Sequence, residues 1–150
     1  MTTTQALLAS LLKNKASINQ ASSQDKNQAL QAMADQLLAE KDHILQANQK
    51  DMAQAEGKIG QVMQDRLLLT ESRIQDMAQG ILDLIDLPDP AGRILDQYEA
   101  TNGLVINKLA EPFGLIAIIY ESRPNVTSDA AALALKSGNA TILRLSLIHI

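Results

Sequence analysis

The residues best placed to do chemistry sit together in the second half of the chain. An apolar run, Phe113 to Tyr120, is followed at once by Glu121-Ser122-Arg123-Pro124-Asn125. In open α/β sheets, ligands bind beyond the carboxyl ends of the strands. A helix starting there offers free N–H groups and a positive dipole to an anionic or carbonyl oxygen. Arg144 ends the next apolar run, on the same expected edge, and its permanently charged guanidinium suits a phosphate. A plainer reading stands beside this one: Glu121 and Arg123 as a solvated pair, Asn125 as a helix cap and Arg144 as a surface arginine. Spacing alone leaves both open. Other chemistries are poorly represented. The chain has no cysteine, so it can supply neither a thiolate nucleophile nor a disulfide. His43 lies in a polar helical stretch and His149 has no histidine near it, so no metal site is expected. No Gly-x-Gly-x-x-Gly or Walker-type glycine run occurs.

The elements that must position these residues divide into a helical half and a mixed half. Leu7, Leu8, Leu11 and Leu12 mark a first amphipathic helix. Ser22-Ser23-Gln24-Asp25 reads as a helix start, with Ser22 as cap and Asp25 at the positive end of the dipole. Leu30, Met33, Ala34, Leu37 and Leu38 follow as one helical stripe, extended by Ile44, Leu45 and Met52 with a break near Asp42. Gly57 and Gly60 close this region. Thr70 caps a further helix with the stripe Ile74, Met77, Ala78, Ile81, Leu82 and Ile85, stopped by Pro88 and Pro90, which lack the N–H a continuing helix needs. From Arg93 the period changes. Residues 94–101 and 104–110 flank Asn102-Gly103, the signature of a two-residue β-hairpin turn. Phe113–Tyr120 is apolar without alternation, as in a strand covered on both faces. Val126 to Lys136 is helical, ended by Ser137-Gly138-Asn139, and Ala140 to Arg144 is a strand. Strand, helix, strand makes a βαβ unit with parallel strands.

Composition narrows the partners. At 150 residues the chain is about one domain long, and a hydrophobic content of 46% is too high for a disordered one. A net charge of −4 without a basic cluster argues against nucleic acid or an anionic membrane as partner. The run from Leu115 to Tyr120 is too short to span a bilayer, and the first residues lack a signal-peptide pattern. A cytoplasmic location is the expectation.

The stretch Glu111-Pro112-Phe113-Gly114-Leu115-Ile116-Ala117-Ile118-Ile119-Tyr120-Glu121-Ser122-Arg123-Pro124-Asn125-Val126-Thr127, continuing to Arg144, resembles the signature of the γ-glutamyl-phosphate reductase family of the aldehyde dehydrogenase superfamily. Asp65-Arg66-Leu67-Leu68-Leu69-Thr70 and Leu87-Pro88-Asp89-Pro90 are similar to that family too. The resemblance implies an α/β, aldehyde-dehydrogenase-like fold, truncated here. It would comprise an N-terminal helical region (1–92), a β-hairpin (93–111) and the first βαβ of a Rossmann-like NADPH-binding domain (112–144). It implies reduction of L-glutamate 5-phosphate to L-glutamate 5-semialdehyde and phosphate, in L-proline biosynthesis, by a homo-oligomeric enzyme. In such chemistry a thiolate attacks the acyl phosphate and the thioester accepts hydride. The resemblance further implies cofactor contacts from Ser122, Arg123, Pro124, Asn125 and Arg144, with Asn125 an oxyanion donor.

Two departures accompany the resemblance. The family's catalytic cysteine belongs to a part this chain does not contain, so the chain alone is expected to be inactive. After Arg144 the family continues with a Gly-Gly turn, whereas residues 145–150 read Leu-Ser-Leu-Ile-His-Ile. That tail resembles a translated sequencing adapter and is expected to be artefactual. Two other functions are to be weighed: a related reductase acting on a different acyl phosphate or thioester, and a non-enzymatic helical interaction protein.

Overall fold

The computed structural model describes residues 4–121 and 123–145. Helix α1 spans Thr4–Asn19, α2 Ser23–Ala39, α3 Lys41–Ala55, α4 Gln61–Leu67 and α5 Glu71–Asp86. Strands β1 (Ile94–Glu99) and β2 (Val105–Leu109) precede β3 (Leu115–Tyr120), α6 (Pro124–Lys136) and β4 (Ala140–Leu145). The architecture is mixed α/β, as the sequence patterns imply.

Local chemistry starts α2 and α5 where the sequence indicates. Ser22 Oγ accepts from the Asp25 backbone N–H at 3.1 Å, and Asp25 Oδ2 accepts from the Ser22 N–H at 3.1 Å. This reciprocal capping box satisfies two otherwise orphaned donors. Thr70 Oγ1 caps α5 by accepting from the Arg73 N–H at 3.2 Å. The break expected near Asp42 falls at Glu40, between α2 and α3. Helix α4 has no counterpart in the sequence patterns: it is only seven residues long, too short for a periodic stripe to stand out.

The core lies where α2, α5 and α6 meet: Leu30, Ala34, Ala78, Ile81 and Ala132 are all buried. Three of the five are alanines, which let the helix backbones approach closely in a chain with few aromatics. Two buried lysines tie the same elements together at their ends. Lys136 Nζ donates to Asn27 Oδ1 at 2.8 Å and to the Ile85 carbonyl at 3.2 Å, satisfying a late carbonyl of α5. Lys26 Nζ lies 2.5 Å from Asp89 Oδ2, which also accepts from Ser23 Oγ at 2.7 Å.

Strands β1 and β2 pair antiparallel as a separate hairpin, with a register shift between Ile94 and Asp96. Its turn differs from the two-residue form expected. Gly103 N–H donates to the Ala100 carbonyl at 2.8 Å, Ala100 N–H to the Leu104 carbonyl at 2.9 Å, and Gly103 has φ +81°. Thr101, Asn102 and Gly103 thus form a three-residue loop that places its glycine in the left-handed region. Only Gly103 then needs a positive φ, and the strands end at Glu99 and Val105.

Strands β3 and β4 pair in parallel, Leu115 with Ala140 through Tyr120 with Leu145, so the βαβ unit is present. Its helix ends in a Schellman motif: Asn139 N–H donates to the Ala134 carbonyl at 2.8 Å and Gly138 N–H to the Leu135 carbonyl at 3.0 Å. Asn139 then bridges to the other strand, its Oδ1 accepting from the Gly114 N–H at 2.9 Å. The expectation that β3 is covered on both faces is not met. Helix α6 covers part of one face and α1 packs against both strands, but Ile119 remains 70% exposed. Apolar strand composition reports the burial a strand is built for, and two strands with two helices do not supply that much cover.

Candidate functional site

The carboxyl edge of the β3–β4 pair is formed as the sequence implies. Parallel register sets Arg144 beside Ile119, so β4 brings Arg144 to the edge from which residues 121–125 depart. Helix α6 begins earlier than expected, with Pro124 at its first position and Arg123 as N-cap. Proline is well suited there, because its missing N–H would have been orphaned anyway. Asn125 is therefore not the cap of the plainer reading. It lies in the first turn, where its Nδ2 donates to Asp129 Oδ2 at 3.1 Å, and its backbone carbonyl accepts from Ser128 Oγ at 2.8 Å. Glu121 and Arg123 are both exposed and form no ion pair with each other. The Tyr120 hydroxyl meets Thr127 Oγ1, tying the end of β3 to α6. Ser122 lies outside the described residues, as does His149.

Arg123, Pro124 and Asn125 form one wall of a cleft of about 370 Å³, within the size range of small-molecule sites. The other wall is the corner between α4 and α5: Asp65, Arg66, Leu68, Leu69, Arg73, Asp76 and Met77. Arg144 is not part of this cleft. The structure thus splits the sequence-derived set into two places, one between α5 and the start of α6, the other at the end of β4.

The α4–α5 corner is held by side chains standing in for secondary structure. Buried Asn48 of α3 donates from Nδ2 to the Leu67 carbonyl at 2.8 Å, and its Oδ1 accepts from the Leu69 N–H at 2.8 Å. Arg73 donates to the carbonyls of Asp65 at 2.5 Å and Leu68 at 2.6 Å, and pairs with Asp65 Oδ1 at 3.0 Å. Arg73 and Asp65 are therefore occupied with each other and with the turn. Asp129 is likewise engaged by Asn125 and Ser128. Arg66, Asp76 and Arg123 have no side-chain hydrogen bond or ion pair among the described residues. The sequence reading assigned no role to Arg66, Arg73 or Asp76, although Asp65–Thr70 carried part of the resemblance.

No group of three or more metal-ligating side chains occurs among the described residues, and His43 is an exposed residue of α3 beside Glu40. No described helix is long and apolar enough to cross a membrane.

No protein-family model matches the chain. Individual proteins do. A γ-glutamyl phosphate reductase of Streptococcus suis is 66% identical over 144 residues, covering 96% of this chain and 35% of that protein. One from Streptococcus gordonii is 58% identical, covering 96% and 34%. Among solved structures, the γ-glutamyl phosphate reductase of Thermotoga maritima matches with a TM-score of 0.86 and 37% identity, covering 91% of this chain and 33% of that one. The Saccharomyces cerevisiae enzyme matches with a TM-score of 0.89 and 31% identity, covering 97% and 38%. The chain spans about a third of the length of the curated relatives it matches. Over nearly all of its own length, in sequence and in backbone shape, it is similar to the corresponding third of γ-glutamyl phosphate reductases.

Proposed function

We propose that this chain is part of an NADPH-dependent reductase that converts L-glutamate 5-phosphate to L-glutamate 5-semialdehyde and phosphate, a cytoplasmic step of L-proline biosynthesis. The observation that carries the reading is 66% identity to a relative of that name across 144 residues, a span that includes the cleft-lining loop. The chain contributes recognition and positioning. It has no cysteine, so the thiolate that attacks the acyl phosphate comes from elsewhere in the complete enzyme, and the 150 residues alone are inactive.

The residues at the edge of the β3–β4 pair suit a nicotinamide cofactor. Arg144 is exposed and has no ion-pair partner among the described residues, the state expected of a guanidinium waiting for a phosphate group. When bound, the cofactor supplies the hydride. Residues 112–144 open its domain, and Ser122, Arg123, Pro124 and Asn125 form the boundary between cofactor and substrate. An amide side chain carries two N–H donors, and Asn125 uses one of them on Asp129. The second is available to an oxyanion, and the bond to Asp129 holds the amide in one orientation.

The exposed apolar residues of the hairpin, Ile94, Leu95, Tyr98, Val105 and Leu109, suit burial in a homo-oligomer of the complete enzyme. Sedimentation of that enzyme tests this. The function is tested by supplying it with L-glutamate 5-semialdehyde, phosphate and either NADP+ or NAD+. NADP+-dependent, phosphate-dependent turnover is expected. Turnover without phosphate, or with NAD+ alone, refutes the reading.

A further inference from the structure

The cleft between α5 and α6 carries more charge than a contact with an acyl group requires. Of its six charged side chains, Asp65 and Arg73 pair with each other and Asp129 is engaged by its own helix. Two cations and one anion remain uncommitted among the described residues: Arg66, Arg123 and Asp76. At the start of α6, Pro124 carries no N–H and the Val126 N–H donates to the Arg123 carbonyl at 3.1 Å, so the positive end of the helix dipole is what adds potential on the wall carrying Arg123. A simple dianion would suit the two arginines but would meet Asp76 unfavourably. A neutral acyl chain would leave all three charges without counterparts. The ligand that matches is zwitterionic, with one cationic and at least one anionic group at the same end.

We infer that this cleft recognises the α-amino-acid end of the substrate, with Asp76 opposite the ammonium group and Arg66 and Arg123 opposite the carboxylate. The inference rests on the proposed reductase reading and assigns it a specificity device. The acyl end of the same molecule then points toward the carboxyl edge of the strands, where Asn125 lies. Asp76 binds part of the substrate that does not react. Its removal should therefore weaken discrimination between an amino acid and the same acid without its amine.

The test uses the complete enzyme in the oxidising direction, with phosphate and NADP+. It compares L-glutamate 5-semialdehyde with 5-oxopentanoate, the same aldehyde acid lacking the α-amino group. Wild-type enzyme should prefer the amino acid. Asp76→Asn should lower kcat/KM for the amino acid by roughly 10- to 100-fold, the usual scale for a charge-assisted hydrogen bond, while leaving 5-oxopentanoate nearly unchanged. Asp76→Glu should restore part of the preference. Arg66→Gln should raise KM for both aldehydes together, because both carry the carboxylate. Asp76 and Arg66 are exposed, and unchanged circular dichroism will confirm that each variant folds. An active Asp76→Asn enzyme with the wild-type preference overturns the inference and leaves the reductase reading standing. A wild-type enzyme that oxidises neither aldehyde overturns both.

Discussion

The wall of the cleft depends on Asn48, and its replacement can be worked through from the structure. Asn48 is 5% exposed and satisfies two backbone groups at once, the Leu67 carbonyl and the Leu69 N–H, each at 2.8 Å. Alanine at this position removes both partners. Leu67 is buried, so its carbonyl bears most of the desolvation penalty of an unmet group, about 1–3 kcal/mol. Leu69 is half-buried and water can reach its N–H, so the cost there is nearer the lower end of that range. Together Asn48→Ala should cost about 2–4 kcal/mol. The penalty concentrates at the corner, because Arg73 still holds the Asp65 and Leu68 carbonyls. Hydrogen exchange in the complete enzyme reads this directly. Exchange of the Leu69 amide should accelerate by roughly 30- to 1000-fold in Asn48→Ala, with the α2–α5 contact unaffected. KM for the aldehyde substrate should rise, because Arg66 and Asp76 flank the loosened segment. Replacing exposed Gln49 by alanine should do neither. If Leu69 exchanges at the wild-type rate in a folded Asn48→Ala enzyme, the side-chain bridge is not what holds the corner, and the reasoning fails.

Other perturbations test the frame around the site. Gly138 has φ +74°, and a Cβ there would lie 2.9 Å from Pro112 Cγ. Gly138→Ala should therefore destabilise the complete enzyme by about 2 kcal/mol or more, read as a lowered midpoint in urea. Lys136→Met keeps the apolar stem but removes the donor to Asn27 and Ile85, and a loss of about 1–3 kcal/mol is expected by the same measurement. Asp89 should make stability acid-sensitive. Burial pushes its carboxyl up, but hydrogen bonds from Lys26, Ser23 and the Ala91 N–H, with the Lys26 charge, outweigh that and hold it below its usual 3.8. A depressed folded-state pKa contributes stability above the unfolded value that is lost as pH falls through the folded one. Asp89→Asn should accordingly be less stable than wild type at neutral pH and flatten the loss of stability below about pH 4. Equal slopes for both proteins in acid melts would contradict this. Made as a 150-residue product, the chain should bind a hydrophobic dye and lack a sharp melt, because Phe113 is 91% and Ile119 70% exposed. A cooperative monomeric transition would refute it.

What could be read from the sequence follows the range of the interactions involved. Ser22 with Asp25, Thr70 with Arg73, and Ser137-Gly138-Asn139 are solved within a few residues, so their chemistry was visible in the order of side chains. The stripe from Ile74 to Ile81 is equally local, because a helix repeats its buried face every three or four residues. The hairpin lay at the limit: Asn102-Gly103 identified the turn, but its length depends on which residue takes the left-handed conformation, and that is settled by the strand pairing. Asn125 shows the same limit at the site, since a cap and a first-turn residue differ by two positions and the fixed φ of Pro124 decides between them. The cleft itself could not be read from spacing at all. Arg66 and Asp76 meet Arg123 across some fifty residues of chain only because α5 packs beside α6 and because Asn48, on a third helix, sets the bend between Leu67 and Leu69. Asp76 and Asp83 lie about two turns apart on α5, and only Asp83 has a glutamine four residues before it. Asp83 accepts from Gln79 at 2.7 Å, while Asp76 is left facing the cleft without a partner among the described residues. The local partner of Asp83 is legible in the sequence, but the cleft that Asp76 lines exists only after folding, and it is what turns an ordinary surface carboxylate into a candidate for reading a substrate's amine.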